Sequence, residues 1–182
     1  MSYPDFEEFI AALNARGVRY LVVGAYALAF HAKPRATKDL DVYVEPTAAN
    51  ARRFRAALND FFGGAPPGYA DSDVLDRDSV IQLGFAPVRI DVLSSIAGLE
   101  SFPAAWRGRS EGALGTVATH YLGFDDLVRA KTAADRPQDR ADLEALRRVP
   151  STIPKAPSPP RKVARTGVKA PSTVRKAPKG RG

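Results

Sequence analysis

The 182-residue chain contains no cysteine, which excludes disulfide scaffolds, thiolate zinc sites and cysteine nucleophiles. It also has no apolar run near the ~20 residues that a membrane-spanning helix needs. The first eight residues are acidic and lack the basic stretch that opens a secretory signal. The sequence therefore predicts a cytoplasmic protein without a membrane span or a leader.

Acidic residues are absent from the C-terminal part of the chain. Residues 150–182 hold nine Lys and Arg and no Asp or Glu, with seven of the 15 prolines, whereas residues 1–149 carry a net charge of −2. A segment this polar and proline-rich cannot bury enough apolar surface to offset the entropy of ordering. We expect one folded domain at 1–149 and a disordered basic tail at 150–182. The tail is either an arm for nucleic acid or a solubilising extension.

The body of the chain shows apolar periodicities of both helix and strand type. Helices are predicted at 4–16, 25–31, 47–63, 124–134 and 137–148. Strands are predicted at 20–23, 40–44, 80–85, 88–93 and near 116–122. Strands mixed with flanking helices indicate an α+β domain rather than a helical bundle.

Two aspartates, Asp39 and Asp41, occupy alternate positions of a predicted strand. Residues two apart on a strand point to the same face, roughly 7 Å apart, so these carboxylates project together while Leu40 and Val42 face the core. Neighbouring carboxylates repel each other unless a cation lies between them. Oxygen ligands of this kind suit a hard divalent cation, Mg²⁺ or Mn²⁺.

A third carboxylate, Asp91, lies on another predicted strand, where Ile90 and Val92 form the apolar face. If this strand pairs beside 40–44, three carboxylates converge into a site for two metal ions ~4 Å apart. Such a site activates an attacking oxygen and neutralises a leaving pyrophosphate during in-line displacement. Asp91 is the residue predicted to orient or deprotonate the acceptor hydroxyl.

The phosphate side of such a site needs backbone amides and positive charge. Gly24 ends a short strand where a helix begins, and the free amides at a helix start attract anions. Lys33, Arg35 and Lys38 crowd the segment before the aspartates. Gly24 is therefore either a phosphate-contacting residue or a turn residue needed only for its geometry.

These residues resemble the core of the minimal nucleotidyltransferases of the DNA polymerase β superfamily. The likeness rests on residues 21–25, Leu-Val-Val-Gly-Ala, and on residues 31–41, which end in the Asp-Leu-Asp of Asp39 and Asp41. It is nearest to the AbiEii-like branch of toxin–antitoxin and phage-defence systems. The resemblance implies a mixed sheet flanked by helices, with Asp91 as the distant third acid.

A second block of likeness covers residues 127–143 and includes the run R-x-x-D-x-x-D-L that begins at Arg136. The resemblance implies that a lysine on one helix and this run at the start of the next help to bind nucleotide or complete the pocket. Carried over, it implies that Lys131 contacts phosphate and that Asp139 orients Lys131 or supports the site. A simple ion pair between two helices would explain the same two residues. Ala25 stands where the family has a second glycine or a serine, so only its backbone amide is available for nucleotide binding.

The sequence thus predicts a Mg²⁺-dependent nucleotidyltransferase that moves a nucleoside monophosphate from a nucleoside triphosphate to a hydroxyl. The acceptor is either a tRNA 3′ end or a protein side chain, and the expected partner is either RNA, such as tRNA, or a cognate toxin or antitoxin protein. Two alternatives stay open. One is a glycosyltransferase, since these enzymes also use D-x-D; the other is a non-catalytic, antitoxin-like pseudoenzyme that binds nucleic acid or a partner.

Overall fold

A computed structural model describes residues 4–32, 37–64, 68, 70–85 and 88–149. The predicted tail, together with Lys33 and Arg35, lies outside these described residues. The helices are α1 Pro4–Ala15, α2 Gly24–His31, α3 Ala48–Phe61, α4 Asp71–Leu75, α5 Phe102–Arg107, α6 Phe124–Ala134 and α7 Pro137–Arg147. The strands are β1 Tyr20–Val22, β2 Asp39–Val44, β3 Val80–Phe85, β4 Val88–Leu93, β5 Ser110–Leu114 and β6 Val117–Tyr121. No helix within the described ranges is long and apolar enough to cross a membrane.

The six strands form one mixed sheet in the order β3-β4-β2-β1-β6-β5. Strand β2 runs parallel to β4 and antiparallel to β1, and β1 runs parallel to β6. The outer pairs β3–β4 and β5–β6 are antiparallel hairpins. The predicted α+β class, a mixed sheet flanked by helices, is confirmed.

The apolar faces predicted from the sequence form the core. The apolar residues Phe6, Phe9, Ile10 and Leu13 of α1 are each at most 1% exposed. In β2, Leu40, Val42 and Val44 are fully buried, so the alternate residues Asp39 and Asp41 lie on the other face. Thr47 caps α3 by accepting a hydrogen bond from the Asn50 amide.

Three elements, α4, α5 and β5, are not predicted by the sequence patterns. Helices α4 and α5 have only five and six residues, too few to show a helical period. Strand β5 reads Ser-Glu-Gly-Ala-Leu and buries only Leu114, so its strand character comes from pairing with β6. Helix α2 begins at Gly24, one residue before the predicted start.

Candidate functional site

Strand pairing brings the three predicted carboxylates to one face of the sheet. The parallel register of β2 and β4 places Asp41 opposite Asp91 and Asp39 opposite Arg89. Directly opposite residues project to the same face, so Asp39, Asp41 and Asp91 project from one face of neighbouring strands. The Asp39 side chain is 44% exposed and that of Asp91 14% exposed, which leaves the cluster open to solvent on the Asp39 side.

Asp41 is the carboxylate of this cluster whose pKa is raised by burial and by repulsion from the other two. The pKa of Asp41 is raised from 3.8 to about 6, mainly by burial and then by the charges of Asp91 and Asp39. Arg136 and Lys131 oppose this shift. A carboxylate that holds its proton this tightly gains from a nearby cation, which replaces the proton and relieves the repulsion.

The glycine at the start of α2 is required by the position of Asp41. Gly24 has a φ of +59°, and a Cβ atom there would lie 2.0 Å from the Asp41 Oδ2 atom. The neighbouring Val23 amide donates a hydrogen bond of 2.9 Å to the Asp41 carbonyl, which fixes the start of α2 against β2. The structure therefore supports the geometric role of Gly24, and its phosphate contact stays a prediction.

Replacing Gly24 by alanine should destabilise the fold and displace the Asp41 carboxylate. We expect Gly24→Ala to lower the free energy of unfolding by about 1–3 kcal/mol, because it adds a steric clash to a strained backbone. Thermal unfolding of the purified variant measures the change.

Gly17→Ala is the matched control for Gly24→Ala. Gly17 has a φ of +62°, and a Cβ atom there would meet nothing within 4 Å. The Gly17→Ala variant therefore places an alanine at a positive φ without adding a steric clash. Equal losses in the two variants would show that contact with Asp41 is not what requires glycine at position 24.

The start of α2 also offers backbone amides to an anion. Its N-cap residue is Val23, whose side chain makes no capping hydrogen bond. The Ala25 methyl group is buried, so this residue can contribute only its amide, as its position in the resemblance implies. Lys38 is exposed beside Asp39, and its ammonium forms no ion pair with any residue in the described ranges.

Arg89 is a site residue that the sequence analysis did not predict. Its Nε and Nη2 atoms donate hydrogen bonds of 2.7 and 2.9 Å to the two carboxylate oxygens of Asp91. Nη2 also lies 3.8 Å from the Asp39 carboxylate. The signal was present in the sequence, since Arg89 precedes Asp91 by two strand positions and so shares its face.

The donor set of the cluster fits a hard divalent cation. All three side chains supply carboxylate oxygens, and Asp41 shows the electrostatic strain that a cation relieves. Among the described residues, however, no three His, Asp or Glu side chains stand close enough together to form a finished metal site. Arg89 supplies positive charge to two of the three carboxylates in this arrangement.

A buried ion-pair network joins α6 to α7. Lys131 Nζ donates to Asp142 at 2.6 Å and to Asp139 at 3.1 Å, and only 7% of the Lys131 side chain is exposed. Burial tends to raise the pKa of Asp139, but hydrogen bonds from Arg136 and Lys131 hold it below its ordinary value. The contact between Asp139 and Lys131 is thus observed, while a contact between Lys131 and phosphate stays a prediction.

Arg136 also belongs to this network, although the sequence analysis assigned it no role of its own. It is the N-cap residue of α7, and its Nε donates to Asp139 at 2.6 Å. Unlike Lys131, it leaves 74% of its side chain exposed. The positive charge of Arg136 lowers the pKa of Asp41, against the effect of burial.

A separate concavity of about 520 Å³ lies between α5 and α6. Its lining includes Glu100, Asp125, Asp126 and Arg129, and none of the three clustered aspartates. Asp126 and Arg129 form an ion pair with each other. This concavity therefore does not form part of the carboxylate site.

The chain is similar to one family and one solved structure whose descriptions name a nucleotidyltransferase. A family model described as "Nucleotidyltransferase of unknown function (DUF6036)" matches residues 5–149. No curated protein matches the sequence. Among solved structures, a Thermotoga maritima protein described as a "putative nucleotidyltransferase" shares the fold with a TM-score of 0.54 and 13% identity, over 79% of this chain and 93% of that chain. At this identity the structural likeness shows the fold alone.

Proposed function

The chain belongs to the family described as "Nucleotidyltransferase of unknown function (DUF6036)", and from that membership we propose that it is a Mg²⁺-dependent enzyme. It transfers a nucleoside monophosphate from a nucleoside triphosphate to a hydroxyl group and releases pyrophosphate. The observation that carries the proposal is the register of β2 and β4, which brings Asp39, Asp41 and Asp91 to one face.

Asp39, Asp41 and Asp91 are the residues that would hold Mg²⁺ or Mn²⁺. The cation would neutralise charge on the transferred phosphoryl group and on the leaving pyrophosphate. The nucleotide phosphates would bind beside this cluster, with the Gly24 and Ala25 amides and the exposed Lys38 ammonium as the proposed donors.

In the transfer step, the acceptor oxygen forms a bond to the α-phosphorus. The bond from that phosphorus to the oxygen bridging to the β-phosphate breaks, and pyrophosphate leaves with the electron pair. The acceptor proton passes to Asp91. Arg89 fixes the orientation of the Asp91 carboxylate through its two hydrogen bonds.

The acceptor hydroxyl is also part of the proposal. The resemblance to AbiEii-like proteins points to a tRNA 3′ end or a protein side chain, within a toxin–antitoxin system. The nine cations of residues 150–182 favour RNA, because such a tail binds polyanions and would act as an electrostatic tether. Binding through this tail should weaken steeply as the salt concentration rises.

The proposal is tested by incubating the full chain with labelled nucleoside triphosphates, Mg²⁺ and a cell extract. We expect label on a discrete RNA or protein. The double variant Asp39→Ala/Asp41→Ala should lose this labelling, because it removes two of the three carboxylates that hold the cation. Gel separation with and without ribonuclease treatment identifies which class of acceptor carries the label.

Asp76→Ala/Asp78→Ala is the matched control for this double variant. It removes two aspartates with the same spacing from an exposed segment between α4 and β3, and labelling should persist. Labelling from sugar nucleotides alone would instead indicate a glycosyltransferase. Binding of nucleic acid without any transfer would support the non-catalytic alternative and contradict the proposal.

A further inference from the structure

The concavity between α5 and α6 has a negatively charged lining. Its charged residues are Glu100, Asp125, Asp126 and Arg129, which together give a net charge of −2. Asp126 pairs with Arg129, whereas Glu100 and Asp125 are exposed and form no ion pair with any other residue that the structure describes. Two carboxylates at this concavity are therefore free to meet a cationic partner.

Two glycines allow the backbone around this concavity to pack closely. A Cβ atom at Gly98 would lie 2.7 Å from the Arg129 carbonyl oxygen, and one at Gly123 would lie 2.1 Å from the Gly108 carbonyl oxygen. Only a residue without a side chain permits contacts of this kind. They hold the segment before α5 and the end of α5 against α6, so the concavity is formed before any ligand arrives. Its volume of about 520 Å³ lies within the range of ligand sites, roughly 300–1,000 Å³.

The described part of the chain ends at the same end of α6 as this concavity. Only residues 135 and 136 separate α6 from α7, and so short a connection makes the two helices antiparallel neighbours. The contact from Lys131, late in α6, to Asp142, in the middle of α7, fits this arrangement. The end of α7 and Val149 after it therefore lie near the start of α6, where Asp125 lines the concavity.

The sequence that continues from Val149 carries the opposite charge. Residues 150–182 hold nine Lys and Arg and no Asp or Glu, and the first three cations are Lys155, Arg161 and Lys162. A chain spans at most about 3.3–3.6 Å per residue, so Lys155 can lie up to roughly 20 Å from Val149. A helix with its side chains is only about 10–12 Å across. The first cations of the tail can therefore pass α6 and reach the concavity.

We propose that residues 150–162 bind in the concavity of their own chain, with their three cations beside Glu100 and Asp125. A segment attached a few residues from its site has an effective concentration in the millimolar range. Charge pairs at a surface, which are weak individually, are therefore sufficient to hold it. Three of the nine cations of the tail are then engaged by the folded domain rather than by a polyanion. The docking does not depend on the proposed transfer reaction.

The chain carries its own fluorescent probe for this docking. Trp106 is the only tryptophan and follows Ala105, which lines the concavity. Because the chain has no cysteine, Ser158→Cys provides a single attachment site for a nitroxide within the docking segment. We expect this label to quench Trp106 fluorescence in the full chain at low salt, and the quenching to fade as added salt screens the charges. A nitroxide at Ser172→Cys, beyond the docking segment, should quench less.

Glu100→Gln/Asp125→Asn in the Ser158-labelled chain removes the two unpaired carboxylates. It should lower the ratio of docked to undocked protein about 3- to 30-fold, the expected effect of losing two exposed charge pairs. Asp76→Asn/Asp78→Asn is the matched control, because it removes two exposed aspartates that do not line the concavity, and its quenching should stay unchanged. Equal effects of the two double variants, or no quenching at low salt, would overturn the proposal. Quenching that rises with protein concentration would place the segment on a second copy and contradict it as well.

Discussion

Lys131→Met should lower the free energy of unfolding by about 3–5 kcal/mol, because removing one partner of a buried ion pair leaves the other charges uncompensated. Here two buried carboxylates, Asp139 and Asp142, lose the same ammonium. Arg136 also contacts Asp139, but 74% of its side chain is exposed, so it compensates the buried carboxylates less than Lys131 does. Chemical denaturation of the purified variant at pH 7 measures the loss.

Two further variants separate the loss of charge pairing from the loss of packing. Arg129→Met removes an exposed cation of the same helix that is paired with Asp126. It should lower the free energy of unfolding by at most about 1 kcal/mol. The triple variant Lys131→Met/Asp139→Asn/Asp142→Asn carries no unpaired charge at these positions and should recover much of the stability. If Lys131→Met lowers the free energy of unfolding no more than Arg129→Met does, the buried ion-pair network does not stabilise the fold as we expect.

Asp41→Asn should abolish nucleotide transfer and, in metal-free buffer, make the protein more stable. The folded state raises the pKa of Asp41 from 3.8 to about 6, mainly through burial and then through repulsion by Asp91 and Asp39. Each pKa unit corresponds to about 1.4 kcal/mol. We therefore expect the amide to raise the free energy of unfolding at neutral pH by about 1–3 kcal/mol.

The pH dependence gives this prediction a definite sign. The folded state binds the Asp41 proton more tightly than the unfolded state, so Asp41 makes stability fall as the pH rises from 3.8 to about 6. The stabilisation by Asp41→Asn should therefore be small near pH 4 and complete above pH 6. Thermal midpoints measured across this interval, with a chelator present, report the difference between the two proteins.

Asp39→Asn is the control for Asp41→Asn. Asp39 is 44% exposed, so its charge is better solvated, and its replacement should stabilise the protein less. A midpoint for Asp41→Asn that is equal to or below the native value at pH 7 would contradict the electrostatic account of the cluster. Stability gained with activity lost is the pattern expected where a site holds like charges together for function.

Much of the fold follows from periodicities that act over a few residues. The α1 face and the alternation in β2 are local patterns, and the structure confirms both. Helices α6 and α7 also lie where the sequence places them, apart from a one-residue difference at the end of α7. The short elements α4, α5 and β5 were missed because five or six residues carry too little pattern.

The sequence by itself determined that Asp39 and Asp41 share a face, because side chains alternate along any strand. It also determined the separation of an acidic body from a basic tail, because charge is fixed by composition. Only the tertiary structure decided the partners of the charged groups. Asp91 meets Asp41 through strand register, Lys131 is buried between two carboxylates, and Arg136 is left exposed. These outcomes depend on how distant segments pack and exclude water, and no local pattern specifies that.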